Sequence, residues 1–228
     1  RLKSVALPNS LVTIEDGVFG YCQSLESLYI PDKVESIGKE YLSEVFYECK
    51  SLKAIYVSSV NQYYTSVDGV LFNKDKSKII TYPAAKGTAY IIPEGVEIIK
   101  YSAFLNCSNL EKIVIPSSVK EIEGAAFLTC ENLYEVIYGG TAEDKKQIKI
   151  GQLNEKLLLA DWYYSYEDLS TKTCYICNSV AENLNGEHII YDEFDDLLYY
   201  YNNGEKVNVD GLHKIDGTWY YFEDGIWD

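Results

Sequence analysis

The chain has 228 residues, of which 47% are hydrophobic, enough to fill a core and to argue against wholesale disorder. Its 35 acidic residues against 20 basic ones give a net charge of −15, which disfavours nucleic acid and an anionic membrane surface as partners. No apolar run approaches the roughly 18 residues of a membrane-spanning helix, so membrane insertion is not expected.

Residues 1–166 hold 21 acids and 17 bases (net −4), and residues 167–228 hold 14 acids and 3 bases (net −11). The shift predicts a boundary near Tyr166. Both histidines, His188 and His213, lie beyond it. Acid–base, nucleophilic and zinc chemistry lean on His, so the His-free stretch argues against an enzyme within 1–166, with carboxylate-only chemistry as in glycosidases left open. No carboxylate pair stands out, and we assign no catalytic residue and expect neither a cofactor nor a metal. The chain starts at Arg1 and contains no Met, which fits a processed chain whose signal peptide has been removed.

From the first residues onward the chain repeats. Leu2, Leu25 and Leu110 each stand six residues before Pro8, Pro31 and Pro116. Three residues after Pro8, Pro31, Pro93 and Pro116 come Leu11, Val34, Val96 and Val119, and three further on Ile14, Ile37, Ile99 and Ile122. Phe19, Phe46, Phe104 and Phe127 follow, then Cys22, Cys49, Cys107 and Cys130, then Leu25, Leu52, Leu110 and Leu133, at steps of three. Pro8 to Pro31 and Pro93 to Pro116 are both 23 residues, the period of a solenoid. Each unit predicts a short strand ending at the Pro position, a second extended stretch around VxxI, and a turn carrying FxxC. One unit cannot close a core, so neighbours share one. The repeat cysteines read as small buried hydrophobes, with a disulfide between adjacent turns as the alternative.

Two irregularities interrupt the array. Lys39-Glu40-Tyr41-Leu42 is an insertion of four residues. Residues 60–88 predict a hairpin, Val70-Leu71-Phe72 and Ile79-Ile80-Thr81-Tyr82 flanking a polar turn, bulging from the stack.

Strand alternation places Ala6, Tyr29, Tyr56, Ile91, Val114 and Ile137, two positions before each Pro equivalent, on the outer face of the ladder. An apolar stripe of this kind marks a contact site, and Tyr29, Tyr56, Ile91, Val114 and Ile137 are the candidate partner-binding face. The residues leave two other readings open: strand propensity alone, or a face covered by the C-terminal segment.

Beyond a linker at 167–189, residues 194–204 align without gaps on 215–225 at an offset of 21, each ending in an Asn-Gly or Asp-Gly turn. These predict small aromatic β-hairpins over 190–228. Cys174 and Cys177 form a lone CxxC that suits a local disulfide or two free thiols, since zinc needs a second pair. Asp192, Glu193, Asp195 and Asp196 lack the spacing and turn Gly of a calcium loop and read as a solvated charge run.

The pattern LxxhxIPxxVxxIxxxxFxxCxxL resembles the bacterial surface leucine-rich repeats of the BspA type, as do Tyr63–Pro83 and the GGTAEDKKQIKIG run within 138–166. The resemblance spans 1–166. It implies a leucine-rich-repeat solenoid, mainly β with short helical turns, serving as an adhesive or protein-binding scaffold. Gly211–Asp228, GLHKIDGTWYYFEDGIWD, resembles the cell-wall-binding repeats of choline- and glucan-binding surface proteins. By that resemblance Trp219, Tyr220, Tyr221 and Trp227 are the positions to cage choline or to stack on glucan. Packing of the hairpins without a ligand is the alternative. The joint expectation is a non-catalytic, extracellular bacterial surface protein. Its solenoid face takes a protein or glycoprotein partner, and its tail holds a cell-wall polymer. Two rivals are an accessory region of a larger secreted cell-wall hydrolase or peptidase, and a structural spacer in a surface layer.

Overall fold

The structure, a computed structural model, describes residues 2–38 and 45–164 in full and, beyond them, the backbone of the strands within 187–227. The chain forms two compact units, 1–165 and 166–228.

In the first unit β1 (Thr13–Ile14), β2 (Ser27–Ile30), β3 (Ser36–Ile37) and β4 (Ala54–Val57) belong to the opening repeats. The insert supplies β5 (Tyr64–Val67), β6 (Val70–Asn73) and β7 (Lys78–Thr81). Then follow β8 (Ala89–Ile91), β9 (Ile98–Ile99), β10 (Lys112–Ile115), β11 (Glu121–Ile122) and β12 (Glu135–Tyr138). The unit closes with α1 (Ala142–Lys145), β13 (Lys149–Ile150), α2 (Glu155–Leu159) and β14 (Asp161–Tyr164).

Strands at the Pro positions stack in parallel as β2–β4 and as β8–β10–β12–β14; strands at the VxxI positions stack as β1–β3 and as β7–β9–β11–β13. Parallel pairing in register puts like positions of successive repeats beside one another, so each repeat column becomes a ladder. Phe19 stacks on Phe46 at 5.8 Å between ring centres, and Tyr82, Phe104 and Phe127 stack at 5.0 and 4.7 Å.

The repeat cysteines are free thiols, which removes the inter-turn disulfide expected as the alternative. They are more than small hydrophobes. The Cys49 thiol donates to the Phe19 carbonyl at 3.0 Å, and Cys107 faces the Tyr82 carbonyl at 3.8 Å. Burial, with Cys22 alongside, pushes the Cys49 thiol up to about 12, and burial holds Cys107 well above the ordinary thiol range. Cys49 and Cys107 therefore keep their protons.

The insert does not bulge. Val70, Leu71, Phe72 and Ile79 are fully buried, and β7 pairs with β9 as a repeat strand would. Alternation along the strands sends neighbouring residues to opposite faces. Leu71 and Ile80 join the apolar cluster of the first repeats, while Val70, Phe72, Ile79 and Tyr82 join that of the later ones. The insert thus replaces a repeat, with Tyr82 taking the Phe position, and ties two cores together. It also terminates the early ladders. The Tyr64 hydroxyl accepts from the Ile37 N–H, Gly69 carbonyl accepts from the Ile55 N–H, and the Ser66 hydroxyl donates to the Ile55 carbonyl.

Two buried asparagines satisfy backbone where the pattern breaks. Asn61 Nδ2 donates to the Pro31 and Val34 carbonyls, both at 2.9 Å, while its Oδ1 accepts from the N–H groups of Tyr63 and Tyr64. Asn154 Nδ2 donates to Glu123 and Gly151 carbonyls, and its Oδ1 accepts from Phe127 N–H.

In the second unit the strands are β15 (Glu187–Asp192), β16 (Leu197–Asn202), β17 (Glu205–Lys206), β18 (Gly211–Ile215), β19 (Thr218–Glu223) and β20 (Ile226–Trp227), all paired antiparallel. β16–β17 and β19–β20 pair in the same way, Asn202 with Glu205 and Glu223 with Ile226. The insertion at 39–42, Cys174, Cys177, Glu193, Asp195 and Asp196 lie outside the described residues.

Candidate functional site

The outer-face residues fall into two groups rather than one stripe. Tyr29 pairs with Tyr56 across β2 and β4. Ile91, Val114 and Ile137 pair in register across β8, β10 and β12, and Tyr163 on β14 extends the row. Ala6 is exposed and lies outside any strand. Between the groups β4 is capped by Ser66 and Gly69, so no strand joins β4 to β8 among the described residues. The capping is the physical reason the stripe is not continuous: a strand edge already bonded to the insert cannot pair with the next repeat.

Exposure separates the groups further. Tyr29 and Tyr56 are 52% and 53% exposed, whereas Ile91 is half-buried and Val114 and Ile137 are only 8% and 5% exposed. Val114 is flanked on the ladder by Ile91 and Ile137, and Ile137 by Val114 and Tyr163. The open part of the face is therefore Tyr29 and Tyr56.

Around the later rungs, charge is paired rather than free. Lys112 Nζ lies 3.6 Å from Glu135 and 5.8 Å from the ring centre of Tyr134. On the VxxI side, Lys120 meets Glu97 at 2.6 Å, Lys100 meets Glu123 at 2.5 Å, and Lys149 meets Glu121. Each pair links neighbouring turns, a fixed consequence of the register.

Sequence reasoning overlooked Tyr163, although the alternation in Asp161-Trp162-Tyr163-Tyr164 carries the same signal as the other rungs. It also passed over Tyr21 and Tyr47, exposed rings that meet edge-to-face at 5.3 Å. Tyr21 N–H donates to Tyr47 carbonyl, so this pair repeats across adjacent turns as well.

Trp219, Tyr220 and Tyr221 lie on β19 and Trp227 on β20. Backbone pairing sets Trp219 opposite Lys214, Tyr220 opposite His213, Tyr221 opposite Leu212 and Trp227 opposite Phe222. Their side chains lie outside the described residues. Among the described residues no group of three or more His, Cys, Asp or Glu is placed to hold a metal, and no helix is long and apolar enough to cross a membrane.

Comparison with known proteins bears on the first unit. The BspA type leucine rich repeat region matches residues 1–87 and 81–149, in 6 copies. No curated protein matches the chain. Among solved structures, the pneumococcal vaccine antigen PcpA is 26% identical over 62% of this chain, with a TM-score of 0.51. A leucine rich cell surface protein from Faecalibacterium prausnitzii A2-165 is 21% identical over 65% of this chain, with a TM-score of 0.31. A leucine-rich repeat protein from Eubacterium ventriosum ATCC 27560 is 18% identical over 63%, also at 0.31. The matched region spans 38% of the pneumococcal antigen, and 62% and 61% of the other two.

Proposed function

Because the chain belongs to the BspA-type leucine-rich repeat family, we propose that it is a non-catalytic adhesion and protein-interaction scaffold at the bacterial cell surface. Its partner is a protein or glycoprotein, engaged by the exposed half of the ladder. The observation that carries this reading is the pair Tyr29 and Tyr56: adjacent in register, each about half exposed, on strands whose alternate residues Leu28, Ile30 and Ile55 are buried. Tyrosines bring large contact area with few rotatable bonds, and one polar end that tolerates water before binding. Ile91, Val114 and Ile137 hold the later rungs rigid, and Ile91 stands at the margin of the contact. The strands of 187–227 tether the protein to a cell-wall polymer such as choline-bearing polymer or glucan, through Trp219, Tyr220, Tyr221 and Trp227.

The two parts are tested separately. Saturable binding of the full chain to immobilised surface glycoproteins is expected to be abolished by Tyr29→Asp with Tyr56→Asp while thermal unfolding stays nearly unchanged. Unchanged capture overturns the partner face. For the tether, the full chain should sediment with purified Gram-positive cell walls and be released by choline or soluble glucan; a chain that fails to sediment overturns it.

A further inference from the structure

Where the first ladder stops, a cleft opens beside Tyr56. It has a volume of about 420 Å³ and is lined by Lys53 and Tyr56 together with Ser66, Asp68, Gly69 and Lys86. That size falls within the range of roughly 300–1,000 Å³ of small-molecule sites. The wall opposite β4 depends on a glycine: Gly69 has φ +72°, and a Cβ there would meet the Ala54 Cβ at 2.8 Å.

The charges of the cleft are already answered. Lys86 Nζ lies 2.7 Å from Asp68 Oδ2, and Lys53 Nζ lies 3.5 Å from Glu26 Oε2. A charged ligand competes with these partners for its contacts, and the net charge of −4 over residues 1–166 disfavours anions at longer range. Neutral hydroxyls face no such cost. They donate to the remaining carboxylate lone pairs and accept from the remaining ammonium protons. The large ring at the cleft is Tyr56, and Tyr29 stands one rung away, at the strand spacing of about 4.8 Å. The negative face of an aromatic ring attracts the C–H bonds on the flat side of a sugar, so two rungs offer successive platforms along an extended chain.

We propose that this cleft binds a neutral, extended glycan, with one sugar ring on Tyr56, its hydroxyls on the Asp68–Lys86 pair, and the next ring on Tyr29. The inference rests on the reading of the exposed ladder as the partner face and adds the chemical class that the face recognises.

The test is titration calorimetry of the full chain with cellohexaose and with chitohexaose. Saturable binding of at least one is expected, weakened at least about tenfold by Tyr56→Ala. Asp68→Asn, which retains a residue tolerant of the φ of +47° at that position, is expected to weaken it several-fold. Tyr21→Ala, exposed but outside the cleft, should leave it unchanged, and Trp219→Ala with Trp227→Ala, in the tail read above as the tether, tells sugar held there from sugar held in the cleft. Absence of binding by both saccharides, or binding that survives Tyr56→Ala, overturns the proposal. Loss with the tryptophan variant alone also overturns it and assigns the sugar to the tail. If neither saccharide binds while the double Asp variant still abolishes glycoprotein capture, the glycan fails and the partner face stands.

Discussion

The Cys130 thiol donates to the carbonyl of Phe104 one turn earlier, at 3.1 Å. Cys49 does the same to Phe19 at 3.0 Å, so these buried cysteines both fill the core and satisfy backbone of the preceding turn. Cys130→Ala removes the donor and the sulfur together. The expected loss is about 1–3 kcal/mol, read from the urea midpoint, because the Phe104 carbonyl keeps only its bond from the Cys107 N–H and the core loses the sulfur. An unshifted midpoint would show the thiol to be a spacer only.

The raised thiol of Cys49 gives a pH signature. Its native value of about 12 stands above the ordinary 9.0, so the native state holds a proton that the unfolded state releases first. Stability from this group is full below pH 9 and lost as pH rises toward 12. Tyr82 and Tyr90, pushed up by burial, act in the same direction. Urea unfolding between pH 8 and 11 should show falling stability, with a shallower fall in Cys49→Ala.

Tyr82 carries a buried hydroxyl without a hydrogen-bond partner, one of two such side-chain atoms among the described residues. The equivalent positions hold Phe104 and Phe127. Tyr82→Phe keeps the ring stack and removes the unpaired oxygen, so stability should stay level or rise by about 1 kcal/mol. A loss above that size would place an unseen partner on the hydroxyl.

Asn61 makes four hydrogen bonds from full burial, two as donor and two as acceptor. Asn61→Ala removes all four bonds at once, leaving the Pro31 carbonyl only its longer bond from the Val34 N–H, and a loss of about 3 kcal/mol or more is expected in chemical denaturation. The neighbouring exposed Gln62→Ala serves as control and should be nearly neutral.

Much of the solenoid was legible because its ladders follow from spacing alone. Phe, Cys and Leu at fixed offsets fall on the same column in every turn, and the columns stand as expected. The insert was misread because two strands around a polar turn signal a hairpin without saying where it packs. The unbroken run Val70-Leu71-Phe72 held that information, since a strand apolar at consecutive positions is buried on both faces. Tyr82 escaped the alignment because it stands three residues after Ile79, whereas Phe104 stands five after Ile99. The outer row was readable as a register but not as a surface. Exposure at Val114 depends on what flanks it, and alternation reports only which side a residue takes.

A tandem array of this kind changes length by gaining or losing whole 23-residue units, and the seam between Pro93 and Pro116 is neutral to such copying. The segment 64–82 is different. With Leu71 and Ile80 on one side and Phe72 and Tyr82 on the other, it can be neither duplicated nor deleted without exposing apolar surface at both ends. The copy number of the array is therefore free to drift on the C-terminal side of this splice, while the Tyr29–Tyr56 rungs stay at a constant distance from it. Lineages that lengthen or shorten the protein would carry the same exposed tyrosine edge on scaffolds of different reach.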